Sequence, residues 1–124
     1  MALSINLEDH YNYTLLEVRG KVDAATSQML DRAIEAATFE GNQHLILDCS
    51  QLFSISSEGL RVLLNTRNSL TLIHSITLCN VSRSIHSLLE LTGISRFINI
   101  AKDLDEAESM LFESNTDLDR ISFN

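Results

Sequence analysis

Two serines and a glutamate, Ser56-Ser57-Glu58, stand between the apolar run Leu45-Ile46-Leu47 and the stretch Gly59-Leu60-Arg61-Val62-Leu63-Leu64. The apolar run reads as a buried strand, and Leu60, Leu63 and Leu64 make one helical stripe. The helix therefore begins on a hydroxyl, with Ser57 at its N-terminus, where unpaired N–H groups and the macrodipole favour an anion. A hydroxyl there either caps the helix or accepts a phosphate. Serine at a cap and glutamate in the first turn each suit a helix start for a fraction of a kcal/mol up to about 1. Local physics alone is satisfied by a cap.

Catalysis fits these residues poorly. A nucleophilic serine needs a base within hydrogen-bond reach, held by a third group. His44 stands at the start of the strand that Ser57 follows, which puts it at the opposite edge, and His86 falls inside a helical pattern. Ile55 and Gly59 flank the serine pair, so there is no G-x-S-x-G elbow. Neither G-x-x-x-x-G-K-[ST] nor G-x-G-x-x-G occurs. The histidines His10, His44, His74 and His86 share no metal-ligand spacing, and Cys49 and Cys79 end apolar runs as small hydrophobes. No metal and no cofactor is expected. A small hydrolase or nucleotide-binding enzyme is the least favoured of three readings.

The elements that position the serines follow from periodicity. Leu3 to Leu7 and Tyr13 to Val18 alternate apolar and polar residues across a polar turn, a hairpin signal, with Gly20 ending the second strand. Asp23 to Ala37 takes helical spacing, with Leu30, Ala33, Ile34 and Ala37 on one stripe and Gly41 as its stop. Ile76 to Cys79 is a short strand, Val81 to Leu91 a helix closed by Gly93, Phe97 to Ile100 a strand, and Leu104 to Phe112 a last helix. The order ββαβαβαβα predicts an α/β fold: one mixed sheet of about five strands flanked by about four helices. Residues 1–124 form one domain, with a frayed tail over 114–124. Functional groups in such sheets gather beyond the carboxyl ends of strands. Those ends collect Asp23, the segment Asp48 to Ser57, and Asn80 with Ser82.

Composition narrows the partners. The chain carries 17 acidic and 9 basic residues, a formal net charge of -8. That sign repels phosphodiester backbones and anionic lipid, so neither nucleic acid nor a membrane surface is an expected partner. No run of about 18 apolar residues is present. The first residues have neither the basic segment nor the long apolar stretch of a signal peptide, which makes the cytoplasm the expected compartment. Asp103 to Asp119 is acidic throughout and reads as a solvated helix face with a loose end.

Taken together, the chain resembles the STAS domains of bacterial anti-sigma-factor antagonists. Gly20-Lys21-Val22-Asp23-Ala24-Ala25-Thr26 is similar to that family's approach to its first helix, and Leu45-Ile46-Leu47-Asp48-Cys49-Ser50 to its central strand end. Ile55-Ser56-Ser57-Glu58-Gly59-Leu60 matches its phosphorylation loop, and Asn80-Val81-Ser82 and Leu89-Glu90-Leu91-Thr92-Gly93-Ile94 resemble its third helix and the glycine after it. The resemblance implies a binding module and not an enzyme. The implied partners are an anti-sigma factor that is also a serine kinase of the histidine-kinase ATPase type, and a PP2C-type phosphatase that reverses the phosphorylation.

By the same resemblance Ser57 is the phosphoacceptor, with Ser56 as the alternative. Asp23, Ser56, Ser57, Glu58, Arg61, Asn80 and Ser82 make the partner-binding rim. The chain departs from the family at Ser56, where aspartate is frequent, and at Glu58, where a small residue is usual. A carboxylate beside Ser57 would repel a phosphate. STAS domains also serve as constitutive scaffolds and transporter-associated subunits, the second reading.

Overall fold

The computed structural model describes residues 2–39, 44–68 and 75–111. Strands β1 (Ser4–Asp9), β2 (Thr14–Val22), β3 (His44–Ile55), β4 (Ser75–Cys79) and β5 (Asn99–Ala101) form a five-stranded sheet in the order β1-β2-β3-β4-β5. β1 and β2 are antiparallel, and the pairs from β2 to β5 are parallel. The connections carry helices α1 (Ser27–Phe39), α2 (Ser57–Asn68) and α3 (Arg83–Leu91), and a last helix α4 covers 104–111. The expected order and mixed sheet are both observed. The stop at Gly41, the residue His74, the helix end at Phe112 and the tail over 114–124 lie outside the described residues.

Strand order explains how the helices are shared between the two faces. Each parallel connection joins neighbouring strands in the same direction, so right-handed crossovers put α1, α2 and α3 on one face. Their apolar stripes (Leu30, Ile34 and Ala37; Leu60 and Leu63; Ile85 and Leu89) pack in one core with Leu16, Val18, Leu45, Leu47, Ile76 and Leu78. α4 follows β5, the last strand among the described residues, and covers the reverse face. There Ala107 and Leu111 pack on Leu15, Ile46, Cys79 and Ala101. Leu15 and Leu16 thus belong to different cores, as strand alternation requires. The parallel order never reverses, and reversal is where open α/β sheets form a ligand crevice.

Several boundaries differ from expectation: α3 starts at Arg83 and not at Val81, and β5 covers Asn99–Ala101 and not Phe97 to Ile100. β2 does not end at Gly20 but continues to Val22, with Gly20 at φ +104°, where a Cβ would collide with the carbonyl oxygen of Ala2. The glycine is a crossing point for the chain, not a stop. α1 starts at Ser27, because Asp23 to Thr26 forms a turn before it. β3 runs through to Ile55, well beyond its apolar start. Register shifts interrupt the β2–β3 ladder between Glu17 and Arg19 and between Gly20 and Lys21. These irregularities bring Cys49, Leu52 and Ile55 to the core at a spacing of three, which hides the strand from any period-two reading.

Candidate functional site

The long β3 delivers the serine pair to the far end of β2. Ile55 pairs with Val22 in the parallel register, and the amide of Ser56 donates to the carbonyl oxygen of Val22 at 2.8 Å. The start of α2 is thereby fixed beside the turn that begins at Asp23. Gly59 lets the two elements close on each other. A Cβ there would lie 2.6 Å from Val22 Cγ1 and 2.7 Å from Ile55 Cγ1. The glycine is demanded by neighbouring side chains in the first turn of α2.

The two serines divide the work that either hydroxyl could do. Ser56 Oγ accepts from the amide of Gly59 at 3.3 Å, and its carbonyl accepts from the amide of Leu60 at 2.9 Å. That is an N-cap, and it is half-buried. Ser57 is the first helical residue and is exposed. Its Oγ donates to Glu58 Oε2 at 3.1 Å, leaving no capping duty on that oxygen. Capping, which the sequence permits at either serine, therefore falls to Ser56. Arg61 is exposed one turn along from Ser57, on the same side of the helix.

Asp23 organises the adjoining turn. Its Oδ1 accepts from the amides of Ala25 and Thr26 and from Thr26 Oγ1, each at 3.0 Å, while its own amide donates to Thr26 Oγ1 at 2.9 Å. The Thr26 hydroxyl, followed by the Thr26 amide, holds the Asp23 carboxyl below the usual carboxylate range. Thr26 also reaches the carbonyl of Lys21 at 3.0 Å, so it latches the end of β2 to the turn. Sequence reasoning missed Thr26 as a site residue, although Asp followed three residues later by Thr is a recognisable turn signal. It missed Phe53 as well, 59% exposed on the last stretch of β3. An aromatic in a serine-rich segment was the available sign.

Asn80 and Ser82 sit at the end of β4, which stops where Cys79 pairs with Asp48. Asn80, at φ +57°, donates through Nδ2 to Asp48 Oδ1 at 3.1 Å, and Asp48 Oδ1 also accepts from the Ser50 amide at 3.1 Å. Ser82 caps α3 by accepting from the amide of Ile85 at 3.3 Å. The structure thus joins Asn80 to Asp48, partway along β3. The Asp23 turn is what it joins to the Ser56–Ser57 helix start. The segment from Asp48 to Ile55 belongs to the strand and is not a loop beyond it.

His44 Nδ1 lies 2.7 Å from Ser75 Oγ at the starting end of the sheet, and His86 pairs with Glu90 at 2.8 Å on α3. Ser57 Oγ donates to a carboxylate, that of Glu58, and not to an imidazole. Among the described residues no cluster of three or more histidine, cysteine or acidic side chains is arranged to hold a metal ion.

Residues 4–107 match the STAS domain family. The chain belongs to that family. It is 28% identical over 105 residues to the anti-sigma F factor antagonist of Paenibacillus polymyxa, covering 81% of this chain and 87% of that protein. Among solved structures it is similar to an anti-sigma factor antagonist from Mycobacterium paratuberculosis, with TM-score 0.80 and 24% identity over 88% of this chain and 93% of that one. It also resembles the Bacillus cell fate determinant SpoIIAA in its phosphorylated form, with TM-score 0.64 and 19% identity over 87% and 99% of the two chains. The serine helix start is hydrogen-bonded here to Val22, the strand end that leads into the Asp23 turn. No helix among the described residues is long and apolar enough to cross a membrane.

Proposed function

We propose that this STAS domain is an anti-sigma-factor antagonist switched by phosphorylation of Ser57. One observation carries the choice of residue: Ser56 caps α2, and the Ser57 hydroxyl is exposed and, among the described residues, engages the side chain beside it. Support comes from relatives bearing the antagonist name and from a structural neighbour known in phosphorylated and unphosphorylated forms. The partner is an anti-sigma factor with serine kinase activity, and a PP2C-type phosphatase restores the binding form. The binding surface is centred on Asp23, Ser56, Ser57, Glu58 and Arg61. Exposed Phe53 supplies an aromatic of the kind enriched in interface cores. Asn80 and Ser82 extend it beyond the end of β4.

A phosphate adds about −1.5 to −2 charges at neutral pH. At the first turn of α2 the free N–H groups offset part of that charge, so the fold tolerates it. A partner pressed on the same surface would have to desolvate the dianion, which costs several kcal/mol. Each ~1.4 kcal/mol is tenfold in affinity, so one phosphate releases the complex without unfolding the domain.

The test is incubation with a candidate kinase-type anti-sigma factor and ATP, followed by peptide mapping. One phosphate on Ser57, lost in Ser57→Ala, is the expected result, with Ser57→Asp binding the unphosphorylated partner at least tenfold more weakly. A chain that stays unmodified while Ser57→Asp binds normally would point to a constitutive scaffold.

A further inference from the structure

We propose that Glu58 makes phosphorylation of Ser57 self-limiting, because its carboxylate holds the free hydroxyl and opposes the phosphate that replaces the hydrogen. The inference rests on the reading of Ser57 as the phosphoacceptor. In the unmodified protein Ser57 Oγ donates to Glu58 Oε2 at 3.1 Å. Transfer from ATP forms a bond from Oγ to the γ-phosphorus, breaks the P–O bond that bridges to the β-phosphate, and releases ADP and the hydroxyl proton. The oxygen then has nothing to donate. A dianion stands beside the carboxylate that had accepted from it, and a favourable contact becomes a repulsive one.

Charged groups on the elements joined at this turn include Arg61 on α2, Lys21 at the end of β2 and Asp23 in the turn before α1. Arg61 and Lys21 offset a phosphate, and Asp23 adds to the repulsion. Among the described residues, none of the ion pairs His10–Glu8, Arg19–Glu17 and His86–Glu90 engages Glu58. Glu58 is also half-buried in the first turn, which restricts its retreat into water. The helix start draws the phosphate in, and Glu58 sets a limit on how well it is held. An ordinary phosphoserine loses its second proton near pH 6. With Glu58 beside it the phosphate keeps that proton to higher pH, so the negative charge of the switch is only partly developed in mildly acid solution.

The test uses the full chain with phosphoserine placed at position 57 during translation, which removes any dependence on a kinase. It is compared with the same phosphoprotein carrying Glu58→Gln, which keeps an accepting oxygen and removes the charge, and with Glu58→Ala. The phosphorus-31 chemical shift against pH reads the second ionisation. The midpoint is expected roughly half to one pH unit lower in E58Q and in E58A than with Glu58 present. Arg61, Lys21 and Asp23 are common to all three proteins and cancel in the difference. Thermal unfolding gives a second readout: the phosphate should lower the unfolding midpoint more in the Glu58 protein than in E58Q. Equal phosphorus midpoints in the three proteins would overturn the proposal and leave the phosphoswitch standing. Failure of a kinase to modify Ser57 would sink the phosphoswitch and leave the phosphorus measurement unchanged.

Discussion

The amide of Ser56 donates to the carbonyl oxygen of Val22 at 2.8 Å, and through that bond the start of α2 is tied to the segment that carries Asp23. One hydrogen bond between residues far apart in the chain places a capped helix start and a capped turn side by side. The proposed switch surface is therefore anchored on the β2–β3 ladder behind it. A phosphate arriving there alters what a partner meets without needing to move the backbone.

Because Ser56 and not Ser57 caps α2, alanine should affect the two positions unequally. Ser56→Ala removes the acceptor for the Gly59 amide and should destabilise the domain by about 1 kcal/mol. Ser57→Ala loses only a surface contact and should stay within roughly 0.5 kcal/mol of the parent. Urea unfolding checks this as a lowered midpoint at unchanged slope. Equal losses at the two serines would contradict the division of roles.

Gly59→Ala should destabilise even though alanine is the better helix former by about 1 kcal/mol. The new methyl would meet Val22 Cγ1 at 2.6 Å and Ile55 Cγ1 at 2.7 Å, both on strands held by the sheet. Overpacking of this kind costs about 1–3 kcal/mol, which exceeds the propensity gain. The unfolding midpoint should fall. It should be accompanied by weaker partner binding, since the contact joins the Ser56 and Asp23 segments. A raised midpoint would show that Val22 and Ile55 yield freely.

Two buried thiols make stability fall in alkaline solution. Burial pushes the Cys49 thiol far up and the Cys79 thiol up to about 12. In the unfolded chain both revert to about 8.5. A group whose pKa is raised by folding contributes stability that is complete below the unfolded value and is lost as pH climbs toward the folded one. Stability should therefore be flat from neutral pH to about 8 and decline above it, by at most ~1.4 kcal/mol per pH unit for each thiol. Tyr13, also pushed up to about 12 by burial, steepens the decline above pH 10. Urea midpoints between pH 7 and 11 check the slope, which Cys79→Ala should reduce. Alkylation by iodoacetamide at pH 8 should be slow in the native protein and rapid in urea.

Local patterns made most of the scaffold legible. The stripes of α1, α2 and α3 and the apolar start of β3 repeat at the periods of helix and strand, and all face the core, with Ala33, Leu64 and Leu88 at its partly buried margin. The second half of β3 was not legible. Its core residues Cys49, Leu52 and Ile55 are spaced by threes, because shifts in the β2–β3 register re-aim the chain, and those shifts depend on a partner strand distant in sequence. Asp48 keeps regular register with Glu17 and with Cys79, and that pairing brings Asn80 to it.

At the candidate site, the residues Ser56-Ser57-Glu58 by themselves determined that a hydroxyl begins α2 and that a carboxylate stands next to it, since helix starts are written in short-range chemistry. Which serine caps and which is free was decided only in the tertiary structure. The bond from the Ser56 amide to Val22, and the closeness that Gly59 permits, hold Ser56 at the boundary with its oxygen turned to the Gly59 amide. Ser57 is left one residue inside, exposed, with Glu58 as its neighbour. Sequence periodicity reports which face is apolar. Register and long-range hydrogen bonds report which polar groups remain free, and those depend on residues that meet only when the sheet is assembled.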